Sequence, residues 1–207
     1  MTIGGDPGPG IGARLGTIVF LYTFFFLSYG LCNRLIPLSR CHDLATPLDA
    51  RIPFVPAFVF PFWLTYLSIL LPALVIRDRA LFTRSAGALV VLIFSSCLLF
   101  LLFPVHVPRP ETIPDSLAGR MVGLVYRLDR PVCAFPSLHV SASVLATAIL
   151  FRRHRLWGRL FLPVAALSAV STLFIKQHVL ADLAGGVTLA LLVDWAILGG
   201  KGSAEKG

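Results

Sequence analysis

The run SAGALVVLIFSSCLLFLLFP, residues 85–104, carries no charged side chain over twenty positions. About twenty consecutive apolar residues are what an α-helix needs to cross the hydrocarbon core of a bilayer. The rest of the chain agrees with a membrane reading: 57% of its 207 residues are hydrophobic, only 14% are charged, and the mean hydropathy is +0.84. A soluble domain of this length would need far more polar surface. Working outward from 85–104, five further apolar runs are read at 15–32, 54–76, 136–151, 160–175 and 179–199. The fold expected is all-α: a polytopic membrane protein whose six transmembrane helices form a bundle over residues 15–199. A Gly/Pro-rich tail, 1–14, is read as disordered, and 200–207 as a polar C-terminal tail. The tail 1–14 lacks the pattern of a cleaved signal peptide, so the first run reads as a retained span. No internal repeat and no second, soluble domain is read.

The net charge of +8 follows this layout and not a nucleic-acid surface. The short segments RDRALFTR (77–84) and RRHRLWGR (152–159) are dense in arginine. Six spans place both on one side with the two termini, and the positive-inside rule makes that side cytoplasmic. The longer segments 33–53 and 105–135, and the turn at 176–178, then lie outside. The expected location is a cell (inner) membrane, with oligomeric state left open. Cys32, Cys41, Cys97 and Cys133 contain no C-x-x-C pair, which argues against a zinc or redox motif. Cys41 and Cys133 share the outer side, where a disulfide and free thiols are both open readings.

Three polar clusters fall at that outer surface: His106 and Arg109 after the third span, FPSLH (135–139) at the start of the fourth, and KQHVLAD (176–182) between the fifth and sixth. Ionisable groups at membrane depth are costly and mark function by default. His178 and Asp182 stand at i and i+4, neighbours if both are helical. A carboxylate on Nδ1–H would fix the tautomer and leave Nε2 free as a base or nucleophile. A helix-gluing polar pair is the plainer alternative, and a metal chelate a third, although no His-x-x-x-His accompanies the pair. Pro136 and Ser137 suit a helix start, where free N–H groups and the dipole favour an anion. Read alone, Ser137 is a cap and His139 an interfacial residue. Together, two histidines, Asp182, Arg109, Lys176 and the helix start around Ser137 describe a site that holds a phosphoryl group, attacks it and protonates a leaving oxygen. Ser141, Ser143 and Thr147, with Ala142, Ala146 and Ala148, form a small-residue face for helix packing, as does AGG at 184–186.

These residues resemble the type 2 phosphatidic acid phosphatase superfamily, the lipid phosphate phosphatases, over about residues 47–190. The family pattern is K-x6-R-P, P-S-G-H and S-R-x5-H-x3-D. Here the first survives as Arg109-Pro110, the second reads Pro136-Ser137-Leu138-His139, and the third runs from Ser171 to Asp182. Leu102 stands where the family has its lysine, Leu138 where it has glycine and Thr172 where it has arginine. FPSLH and KQH are similar to the branch with inositol phosphorylceramide synthase-like proteins. The resemblance implies catalytic His178, His139 and Asp182. It also implies phosphate-binding Arg109 and Ser137, with Lys176 standing in for a missing cation, and neither a metal nor another cofactor. The expected activity is hydrolysis of a lipid phosphomonoester or pyrophosphate, with phosphotransfer to an alcohol acceptor as the alternative. A transporter fits less well, because the charges lie at one surface and no halves repeat.

Overall fold

The computed structural model describes residues 8–199, so the C-terminal tail 200–207 and residues 1–7 of the N-terminal tail lie outside the described residues. The chain is mostly helical. Helix α1 spans Ile11–Leu35, so residues 11–14, expected in a disordered tail, are helical. The reason is tertiary: the Arg14 guanidinium in its first turn donates to the carbonyls of Ala73 (2.7 Å) and Leu74 (3.0 Å).

A short helix α2, Pro47–Arg51, opens with Thr46 and Asp49 capping each other. The second apolar run is not one uniform helix. It passes through a 3₁₀ turn at Pro56–Phe58, α3 at Val59–Phe62, a second 3₁₀ turn at Trp63–Tyr66 and α4 at Leu67–Val75. Pro56 opens the first 3₁₀ turn, Pro61 removes a backbone donor within α3, and Pro72 lies inside α4, which continues through it. Helix α5, Arg79–Leu102, starts at Asp78, whose carboxylate accepts from the N–H of Leu81. The segment 105–135, read as a loop, contains α6, Leu117–Leu128, capped by Ser116. Val122 and Val125 on its buried face pack with Val59, Phe62 and Ile175. Helix α7 is Leu138–Arg153. One residue, His154, separates it from α8, Arg155–Phe174. Helix α9, Leu180–Val193, runs on through a π-helical turn at Asp194–Leu198.

Among the described residues five helical stretches are long and apolar enough to cross a membrane: Ile11–Leu35, Pro56–Val75, Arg79–Leu102, Arg155–Phe174 and Leu180–Leu198. The expected sixth, α7, has 16 residues, or about 24 Å at 1.5 Å per residue, and falls short by length. It is the central helix, packed against α4, α5, α8 and α9. Its small-residue face does what was read from it: Ser143 and Ser68 share a buried hydroxyl–hydroxyl hydrogen bond of 2.9 Å to α4. A Cβ on Gly186 of α9 would come within 2.6 Å of the Ser137 carbonyl oxygen, so only glycine lets α9 and the first turn of α7 approach this closely. The outer helices present large apolar side chains outward, including Phe20, Leu27 and Leu31 of α1 and Phe94 and Leu101 of α5, as lipid contact requires.

At the end of the bundle opposite the arginine-rich turns, two-residue strands β1 (His42–Asp43) and β2 (Val105–His106) pair in parallel, and Val105 bridges to Cys133. Asn33 donates to the Arg130 carbonyl and accepts from its N–H. These ties join the segments 33–53 and 105–135 to each other. All four cysteines are free thiols, so Cys41 and Cys133 form no disulfide.

Candidate active site

The turn between α8 and α9 brings the first reactive group into place. Lys176 adopts a left-handed backbone, φ 52°, unusual for a residue with a side chain. It lets the N–H groups of both Gln177 and His178 donate to the Thr172 carbonyl. His178 is therefore not on the helix, as the i, i+4 spacing had suggested; it precedes α9. The pair still forms, because Asp182 reaches back over the helix start. Its Oδ2 accepts the Val179 N–H at 2.9 Å and lies 3.3 Å from His178 Nδ1. Asp182 is fully buried and His178 is 5% exposed.

His139, in the first turn of α7, completes a relay. Its Nδ1 lies 3.2 Å from His178 Nε2, and its ring rests against Phe62 at 4.8 Å between centroids. The tautomers follow from the partners. A carboxylate only accepts, so a neutral His178 donates Nδ1–H to Asp182 and offers the Nε2 lone pair; His139 then donates Nδ1–H to it. The two helix mouths are fixed to each other by the Ser137 N–H, which donates to the Asp182 carbonyl at 3.0 Å. Ser137 itself is fully buried, and its Oγ accepts from the Val140 N–H as the cap of α7. It lines neither of the two cavities flanking the relay.

His178 opens on a cavity of about 270 Å³ whose lining includes Arg109, Lys176, Asp49 and Thr46. Arg109 lies over the Tyr126 ring, 4.1 Å from its centroid, and donates to the Tyr126 carbonyl and to Gln177 Oε1. Its Nε and the Gln177 amide nitrogen are buried donors without a partner among the described residues. Burial pulls the Arg109 pKa down, with Asp129 the foremost charge opposing this. Lys176 Nζ donates to the carbonyls of Asp49 (3.2 Å) and Ile52 (2.6 Å), which leaves one of three N–H donors for a guest. Burial lowers its pKa too, against the pull of Asp49. His106, in the same sequence cluster as Arg109, is turned away and lies 3.9 Å from Asp43.

His139 faces the other way, onto a second cavity of about 410 Å³. Three residues of this region were not singled out from the sequence. Gln177 holds the Arg109 fork. Asp49 accepts the Leu180 N–H at the start of α9 with Oδ1, at 2.7 Å. Asp129 sits in the second cavity. Only Asp49 had a local signal, the Thr-x-x-Asp spacing of a capping box.

Among the described residues no cluster of three or more His, Cys, Asp or Glu side chains is grouped to hold a metal ion. Residues 53–196 match the family model of the PAP2 superfamily, and the chain belongs to that superfamily. Its members are typically phosphatases or related phosphotransferases, and all six expected site residues lie inside the matched segment. No curated protein and no solved structure matches the chain.

Proposed function

We propose that the protein is an integral membrane lipid-phosphate phosphatase working through a phosphohistidine, without a metal. The observation that carries this reading is the continuous Asp182–His178–His139 relay beside a cavity lined by two cations. His178 Nε2 attacks phosphorus in line; the N–P bond forms as the P–O ester bond breaks. His139, made cationic by the proton that a monoanionic phosphate ester brings in, protonates the departing oxygen and is left neutral. It then takes a proton from water, whose oxygen attacks phosphorus and releases phosphate from His178. Arg109 and Lys176, which line that cavity, hold the equatorial oxygens. Positioning and electrostatics supply most of the catalysis in such transfers. In the free enzyme the His139 N–H occupies the attacking lone pair, so the phosphoryl group must part the two rings as it enters.

In this reading α7 is counted as the sixth crossing, the arginine-dense end faces the cytoplasm of a cell membrane, and the site opens outward. The bilayer and a lipid phosphate are its partners. Phosphotransfer to an alcohol, as in inositol phosphorylceramide synthase-like proteins, is the second reading. The cavity on the far side of His139 favours it, since an acceptor there would meet the same imidazole.

Phosphate release from a panel of lipid phosphates in EDTA, comparing the parent with His178→Ala, tests the proposal. Activity in the parent alone, with an acid-labile phosphoenzyme trapped in a rapid quench, is the expected result. A folded parent that releases no phosphate from any lipid would sink the hydrolase reading. The panel is then repeated with inositol or ceramide as acceptor.

A further inference from the structure

The second cavity is unlike the first. Its walls are aromatic, from Phe25 and Tyr29 of α1 and from Phe62, Trp63 and Tyr66 of the second span, and it reaches both His139 and Asp129. A simple channel for a lipid tail has no use for a carboxylate. Asp129 is held firmly: Oδ1 accepts the Tyr29 hydroxyl at 2.6 Å and the Asn33 amide at 3.0 Å. Oδ2 accepts no hydrogen bond among the described residues. Burial raises the Asp129 pKa, and its hydrogen bond from Tyr29 is the foremost opposing influence. His139 borders this cavity, so once the phosphoryl group has parted the two rings its imidazole can exchange a proton with an ester oxygen held there.

We propose that the aromatic cavity takes the alcohol half of the phosphate ester, and that Asp129 Oδ2 accepts a hydrogen bond from a free hydroxyl beside the ester oxygen. The preferred substrates are then phosphate esters of polyols. This rests on the reading that His139 exchanges a proton with that ester oxygen. A hydroxyl fits the observations better than an ammonium group. Arg109 already acts electrostatically on Asp129, so a second cation would meet a charge that is partly balanced. A hydroxyl satisfies Oδ2 without adding charge, and the C–H face of a polyol lies well against rings. The cavity volume, about 410 Å³, lies within the ~300–1,000 Å³ range of small-molecule sites.

The test compares kcat/KM for two probes of equal chain length: a 1-acylglycerol 3-phosphate, which has a free hydroxyl beside the ester carbon, and an n-alkyl phosphate, which has none. The parent should prefer the first by about 10–100-fold, as for a hydrogen bond to a charged acceptor. Asp129→Asn, close in shape, should bring that ratio toward one, with the melting temperature in detergent confirming that it folds. A parent ratio near one overturns the proposal without any variant. So does an Asp129→Asn protein in which both rates fall together, which would mark a structural carboxylate. A third probe, an O-phosphorylated amino alcohol with the same chain, overturns it if preferred over both. Where neither main probe gives His178-dependent phosphate release, the phosphatase reading itself fails. His178-dependent release at equal rates removes the hydroxyl proposal alone.

Discussion

The two ends of the bundle contain similar side chains in opposite roles. At one end Arg14 donates to carbonyls at the close of α4, and Arg152 pairs with Asp194 at 2.6 Å. Those charges satisfy helix termini or each other, and none lines the two cavities that flank the relay. At the other end Arg109 and Lys176 border a cavity, with donor capacity left over, and the carboxylates of Asp182 and Asp49 orient a histidine and a helix start. Residue type therefore says little. What separates an anchoring end from a reactive one is whether each charge is satisfied by its own scaffold.

That contrast can be broken at the reactive end first. His178→Ala should lower phosphate release by about 10⁴-fold or more, as for loss of a nucleophile, in a protein that still melts cooperatively. His139→Ala removes the proposed proton carrier and should cost about 10²–10⁴-fold in kcat; a single-turnover assay locates the loss in the chemical step. Arg109→Ala should cost about 10²–10³-fold. Arg109→Lys should recover little, because an ammonium cannot bridge the Tyr126 carbonyl and Gln177 Oε1 as the planar fork does; kcat and KM measured separately on both variants check this. Gly186→Val should destabilise by about 1–3 kcal/mol through overpacking, visible as a lower melting temperature, and should depress turnover by pushing α7 and His139 away. At the anchoring end Arg152→Ala should change stability by no more than about 1 kcal/mol and leave kcat/KM as it was. A large loss of activity there would erase the distinction.

Much of this was legible along the chain. The uncharged run at 85–104 settled the membrane class, and the His178–Asp182 spacing gave the pair even though its backbone setting was different. The prolines at 56, 61 and 72 carried the warning that the second run would not be one regular helix, but its apolar character outweighed it. Helix α6, with Val122 and Val125 on its buried face, is too short to stand out as an apolar run, at twelve residues interrupted by Arg120 and Arg127. Asp49, Gln177 and Asp129 act through tertiary approach. The Asp49–Leu180 hydrogen bond joins residues 131 apart, a separation with no local signature. A helix cap and a phosphate ligand have the same sequence pattern, so the spacing around Ser137 alone does not separate the two.

The central position of α7 has a consequence for how the protein is made. It is shorter than α1, α5 and α8 and carries Ser141, Ser143 and Thr147, all buried in the finished bundle. A ribosome delivers it after α4 and α5 but before α9, whose Gly186 seats its first turn. Until the last hairpin enters, those hydroxyls lack their full enclosure and His139 lacks its partner. Chains stopped after Phe174 should therefore stay open to protease and inert, because insertion of the final helix both shelters the polar centre and assembles the relay.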